Sequence, residues 1–185
     1  VMDPFHVVRL AGEALDSTRR RVQQAIHGHR GRSGDPLYGA RRTLHTGAAL
    51  LTSRQTARLD ALFADDNHVE VEATYGVYQQ MITAYREPDP AKGRAVMARL
   101  IRSVSSGVPA ALKEVITLGR TLKKRAADIL AYFDYPRTSN GPTEAINGRL
   151  EHLRGSALGF RNLTNYVARS LLETGGFRPA LHPGL

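Results

Sequence analysis

Apolar side chains recur at helical spacing along almost the whole chain. Phe5, Val8, Ala11, Leu15, Val22 and Ile26 predict a helix from Pro4 to about Ile26, with Arg19-Arg20-Arg21 near its end. Val1-Met2, just before Asp3, reads as the last residues of a strand. His27 to Tyr38 is a Gly-, His- and Arg-rich loop with Asp35-Pro36 as a turn signal. A second helical region covers about Gly39 to Leu51. Thr52 or Ser53 then caps a third helix carrying Ala57, Leu59, Leu62 and Phe63. Asp65-Asp66-Asn67 breaks that pattern. Val69-Glu70-Val71-Glu72 alternates like a strand, but Val71, Tyr75, Tyr78, Ile82 and Tyr85 keep a helical period, so Val69 to Arg86 is read as helix.

Glu87-Pro88-Asp89-Pro90 is a second break, and Asp89 with Pro90 starts a helix running to about Ser105. Pro109 opens a long helix whose apolar positions are Leu112, Val115, Ile116, Leu122, Ala126, Ile129 and Phe133, ended by Tyr135-Pro136. Asn140-Gly141 reads as a turn, with Pro142 suited to a first helical position. Ile146, Leu150, Leu153 and Ala157 form the apolar stripe of the helix that follows. After Gly159-Phe160-Arg161-Asn162, Leu163, Val167 and Leu171 mark a last helix, ended by Gly175-Gly176. The pattern predicts a mainly α chain.

At 185 residues the chain is long enough to bury a core in one or two small domains. A formal charge of +9, carried mostly by arginine, favours a partner rich in phosphate, because guanidinium forks match phosphate oxygens. An anionic membrane fits less well, since no segment approaches the roughly 20 apolar residues that span a bilayer. Val1 to Leu10 lacks the charged start and apolar run of a secretory signal. The absence of cysteine excludes a disulfide framework, a zinc knuckle and a thiol nucleophile. A cytoplasmic, bacterial, nucleoid-associated location is the expectation. The chain begins Val1-Met2-Asp3, which fits either a non-standard start codon or a piece of a longer protein.

The candidate chemistry lies at the two ends. Glu144 falls in the first turn of its helix, where the dipole favours a carboxylate, and capping alone accounts for it on spacing. Asn147 sits one turn further on, placed to orient that carboxylate, and Asn140 is explained equally by turn chemistry. Asp3 before Pro4 is by itself an ordinary N-cap. His6, in the same turn, is a weaker candidate contact to metal or phosphate. Lys113, Arg120 and Lys124 fall at i, i+7 and i+11 on the long helix. With Lys123 and Arg125 they make a phosphate-tracking face or a solvated one. Arg149, Arg154 and Arg161 are further candidate DNA contacts, with Arg161 equally suited to satisfying a helix C-terminus. Phe160 suits a core anchor better than a base-stacking residue. His27, His29, Arg30 and Arg32 form a basic loop without the ligand spacing of a zinc site.

Ser139-Asn140-Gly141-Pro142-Thr143-Glu144-Ala145-Ile146-Asn147-Gly148, with Leu153-Arg154 and Gly159-Phe160-Arg161-Asn162, resembles the C-terminal end of DDE transposases, the ISL-three insertion-sequence family above all. Val1-Met2-Asp3-Pro4-Phe5-His6-Val7-Val8 is similar to that family's strand end carrying its second catalytic aspartate. Gly119-Arg120-Thr121-Leu122-Lys123 and Ile129-Leu130 fit the helix before the glutamate motif. The resemblance implies an RNase H-like α/β catalytic domain interrupted by a helical insertion, with its N-terminal strands and first aspartate upstream. It divides the chain into the end of a core strand with its following helix (1–26), the helical insertion (27–135) and the C-terminal core helices (136–185).

The resemblance further implies that Asp3 and Glu144 are catalytic carboxylates ligating two Mg²⁺ or Mn²⁺ ions, with Asn140 and Asn147 supporting them. Arg120, Lys123, Lys124, Arg149, Arg154 and Arg161 are then the expected DNA contacts. Two ions about 3.5–4 Å apart activate the attacking water or 3′-hydroxyl and stabilise the leaving oxygen, and carboxylates are the hard oxygen ligands that Mg²⁺ prefers. The implied function is metal-dependent cleavage and strand transfer of an insertion sequence. The implied partners are element ends, target DNA and full-length transposase in a homo-oligomer. The alternative is a truncated remnant that binds DNA or transposase without cutting.

Overall fold

The computed structural model describes residues 1–135 and 141–174 and divides into two compact units, Val1–Thr138 and Ser139–Leu185. The first contains α1 (Pro4–His27), α2 (Pro36–Leu44), α3 (Ser53–Phe63), α4 (Val69–Arg86), α5 (Pro90–Ser105), α6 (Lys113–Lys124) and α7 (Ala126–Asp134). Short 3₁₀ turns occupy Ala48–Leu50 and Asp66–His68. The second unit contains α8 (Gly141–Ser156) packed on α9 (Leu163–Thr174). The chain is mainly α, as the hydrophobic spacing predicts, and no strand occurs among the described residues.

Helix ends follow local chemistry. The Asp3 carboxylate accepts from Phe5 N at 2.8 Å, and Pro4 takes the first helical position of α1. Gly28 ends α1 with φ +70° and donates to Gln24 O at 2.9 Å. Thr52 and Gln55 exchange bonds as a capping box on α3, and Asp89 accepts from Ala91 N and Lys92 N at the head of α5.

The core of the first unit lies where α1 meets α4 and α6, and where α5 meets α4, α6 and α7. Val7, Leu15, Met81, Met97, Leu100 and Leu122 are buried there, each stabilising the fold by about 1.5–3 kcal/mol. Two glycines set the approach of α5 to its neighbours. A Cβ on Gly93 would stand 2.7 Å from the Ala84 carbonyl oxygen, and one on Gly119 only 1.8 Å from that of Val104.

Several boundaries differ from the sequence reading. The stripe of α1 is Val7, Ala11, Leu15, Thr18 and Val22, so Phe5 (66% exposed) and Ile26 lie outside it. Both sit in the terminal turns of α1. The second helix starts at Pro36, directly after Asp35, and stops at Leu44. The helix expected from Pro109 to Phe133 begins at Lys113 and breaks at Arg125, which ends α6 and precedes α7 with φ −105°, ψ +13°. Val1-Met2 belongs to no ladder, and Met2 N donates to Asp128 O at 3.0 Å, docking the chain start on α7. In the second unit Ile146 is exposed, while Leu150, Leu153 and Ala157 are half-buried.

Candidate active site and nucleic-acid interface

The two carboxylates of the sequence reading lie in different units. Asp3 is half-buried at the head of α1, where its bond to Phe5 N makes it a working N-cap. Nearby, Tyr85 stacks on Phe133 (5.4 Å, 7°) and meets Tyr132 edge-on. Burial, then Tyr132 and the Asp3 charge, push the Tyr85 hydroxyl well above the usual tyrosine range, so it stays protonated. That hydroxyl is buried without a hydrogen-bond partner among the described residues.

Glu144 is the fourth residue of α8. Asn140 lies outside the described residues. Asn147 is exposed on α8, three residues beyond Glu144. Mg²⁺ demands near-octahedral oxygen ligation. Among the described residues no group of three His, Cys, Asp or Glu side chains is placed to hold a metal ion. Asp3 has the right donor chemistry but does not make a site by itself.

The basic candidates are better placed. Arg120, Lys123 and Lys124 are all exposed on α6, with Lys113 continuing the row, and none of them is in an ion pair among the described residues. Between them Thr117 and Thr121 turn their hydroxyls onto their own helix, donating to Lys113 O and Thr117 O. Arg125 is paired with Asp128 at 3.1 Å. Glu114, the acid of the first turn, is drawn off to Arg21 on α1, whose guanidinium bridges it to Glu70 of α4. The hydrogen bond from Arg21 holds the Glu114 carboxyl below its usual range. The outer face of α6 is therefore left with its cations.

In the second unit Arg149, Arg154 and Arg161 are exposed. Arg154 and Arg161 meet at a hollow of about 290 Å³ lined also by Phe160, Leu163 and Tyr166. The Phe160 and Tyr166 rings lie 5.2 Å apart, so Phe160, expected as a core anchor, is half-buried and makes a local ring contact instead. Arg154 lies 3.7 Å from Glu151. The sequence reading left aside Arg41, Arg54 and Arg58, which stand on α2 and α3 without a carboxylate partner among the described residues. Their signal was available: residues 28–58 hold six arginines and a single acid, Asp35.

The family model DDE_Tnp_ISL3, described as "Transposase", matches residues 1–170. The chain belongs to this family of DDE transposases. The match runs from before Asp3 to beyond Arg161, so both end motifs fall inside it. Among curated relatives, the transposase for insertion sequence element IS1557 of Mycobacterium tuberculosis is 30% identical over 202 residues, in strains CDC 1551 / Oshkosh and H37Rv alike. The alignment covers 98% of this chain and 44% of each relative, so this transposase-family chain spans less than half their length. No solved structure matches it. No helix among its described residues is long and apolar enough to cross a membrane.

Proposed function

We propose that this chain is the C-terminal portion of a DDE transposase that cleaves and joins the DNA of an insertion sequence. The observation carrying the reading is one family match enclosing both Asp3, at the head of α1, and Glu144, in the first turns of α8. In this reading Asp3 and Glu144 each offer a carboxylate to Mg²⁺ or Mn²⁺, and a further aspartate comes from an RNase H-like core outside residues 1–185. Bound divalent ions would supply an activated water or 3′-hydroxyl and a stabilised leaving oxygen. Asn147 and Asn140 orient the Glu144 carboxylate. Arg120, Lys123 and Lys124 on α6, with Arg149, Arg154 and Arg161, track the phosphate backbone of element ends and target. The complete protein works as a homo-oligomer in the bacterial nucleoid.

The test is cleavage of a labelled duplex carrying the element's end, with Mg²⁺ or Mn²⁺, by this chain joined to the N-terminal portion of its transposase. Metal-dependent nicking at the element end is expected, and its absence would sink the reading. The same assay on the chain alone addresses a second reading, a remnant that binds DNA or transposase without cutting. Nicking by residues 1–185 unaided would overturn that alternative.

A further inference from the structure

The arginines of the first unit differ in whether a carboxylate holds them, and outside residues 28–58 Arg86, Arg99, Arg102 and Arg120 have no ion pair among the described residues. Arg9, Arg19, Arg20, Arg21, Arg94 and Arg125 are each held by a carboxylate. Between residues 28 and 58 none is: Arg30, Arg32, Arg41, Arg42, Arg54 and Arg58 have no ion pair among the described residues. That stretch contains no lysine and no glutamate. Its charge is +5, more than half of the whole chain's formal +9.

Contacts bring Arg41 onto Tyr38 and Arg58 onto its neighbour Gly39, with the other arginines of the stretch on the adjoining loop and helices. The Arg41 guanidinium lies over the Tyr38 ring, 4.2 Å from its centroid, and donates to Tyr38 O at 2.9 Å. The loop before α2 closes on the same ring. Gly31, at φ +124°, approaches so near that a Cβ there would stand 2.5 Å from a Tyr38 ring carbon. Arg30 and Arg32 flank that glycine. On the next residue, a Cβ on Gly39 would stand 2.5 Å from an Arg58 guanidinium nitrogen, so the head of Arg58 rests over Gly39. Arg54 is one turn earlier on α3, on the face that carries Arg58.

The one acid, Asp35, is spent inside the loop. It accepts from Gln23 Nε2 at 3.1 Å and from the Arg32 backbone N–H, and lies 3.5 Å from His29 Nδ1. The loop is thus ordered from within while its arginines face outward. Concentrated like charge without counter-carboxylates is unfavourable until a polyanion neutralises it.

We infer that Arg30, Arg32, Arg41, Arg54 and Arg58, on α2, α3 and the loop before α2, form a sequence-independent docking surface for the phosphate backbone of duplex DNA, separate from the row on α6. Guanidinium forks pair with phosphate oxygens in two-bond geometry. Gln55, beside Arg54, is engaged with Thr52 in the capping box of α3, and guanidiniums directed at phosphates carry no sequence information, so the patch is expected to grip any duplex alike. The inference rests on the DNA reading proposed above but not on cleavage.

The test uses the 185-residue chain and two unrelated duplexes of equal length, with affinity measured by fluorescence anisotropy as salt rises. The wild-type chain is expected to bind both equally. Combining Arg30→Gln, Arg54→Gln and Arg58→Gln should weaken both at least about tenfold. It should also lower the slope of log affinity against log salt by roughly 0.9 for each phosphate no longer neutralised. Circular dichroism checks that the variant folds. A second measurement needs no variant: duplex should protect Arg30, Arg54 and Arg58 of the wild-type chain from phenylglyoxal modification.

An unchanged slope in the folded variant, or no protection, overturns the surface. So does a tenfold preference between the two duplexes that the variant abolishes, or binding of RNA or anionic vesicles that duplex fails to displace. Binding lost through Arg120→Gln, Lys123→Gln and Lys124→Gln but untouched by the α2–α3 changes would sink this surface alone. Absent cleavage with this binding intact would sink the catalytic reading alone.

Discussion

Asp3 carries two roles on one carboxylate, since it caps α1 through Phe5 N and is the proposed metal ligand. The roles separate by substitution. Asn caps a helix about as well as Asp, while Ala costs about 0.5–2 kcal/mol of stability. Asp3→Asn is therefore expected to melt like the wild-type chain yet leave the joined transposase unable to cleave, whereas Asp3→Ala loses both. Thermal melts beside the cleavage assay check this, and an active Asp3→Asn protein would leave Asp3 a cap and nothing more. Sequence showed the cap directly. The proposed ligand role rests on the motif at the far end of the chain, because local spacing cannot say which distant carboxylate a residue meets.

A second group of residues could not be read from sequence at all. Arg21 bridges Glu70 and Glu114, which stand 49 and 93 positions away from it, and also donates to Ala111 O at 3.1 Å. It ties α1, α4 and α6 together. Folding holds the Glu114 carboxyl below its ordinary value of 4.5, so its contribution to stability is complete above that pH. The contribution is lost as pH falls through the lower folded value. The melting temperature should fall below about pH 4.5 with a steeper acid limb than in Glu114→Gln, measured by circular dichroism from pH 7 to 3. Arg21→Met should cost about 1–3 kcal/mol at pH 7 by stranding two partly buried carboxylates. Coincident acid limbs would remove the bridge from the account.

At the scale of elements, helical period identified the helices but not where they bend. Leu118, Leu122, Ile129 and Phe133 keep one face across the break at Arg125, so the pattern reads as one continuous helix. The break lets α6 and α7 both lie against α5, a tertiary demand with no local signature. Pro36 was visible as a turn signal, and its fit to a first helical position explains why α2 starts there. Glycines separate packing from propensity. Gly119→Ala should destabilise by about 1–3 kcal/mol or more, because the Val104 carbonyl occupies the space. Gly76→Ala in α4, where a Cβ meets nothing within 4 Å, should stabilise by about 0.5–1 kcal/mol. Urea denaturation of the two variants tests this, and equal effects would contradict the close α5–α6 approach.

Across the whole molecule, charge and motif carried more than the apolar pattern did. The α class followed from spacing, and family membership from the short runs around Asp3 and Glu144, which one match over residues 1–170 now encloses. The α2–α3 arginines are dispersed along the sequence, and only folding brings Arg41 over Tyr38 and Arg58 over Gly39. The central claim is that this transposase family's chemistry depends on Glu144 at the head of α8. The direct test compares wild-type and Glu144→Gln proteins, each joined to the N-terminal portion of the transposase, for Mg²⁺-dependent strand cleavage at matched occupancy of the element end. The account predicts unchanged DNA affinity and salt slope, with cleavage reduced to background in the variant. Undiminished cleavage by Glu144→Gln would contradict it and return Glu144 to the role of a helix-capping side chain.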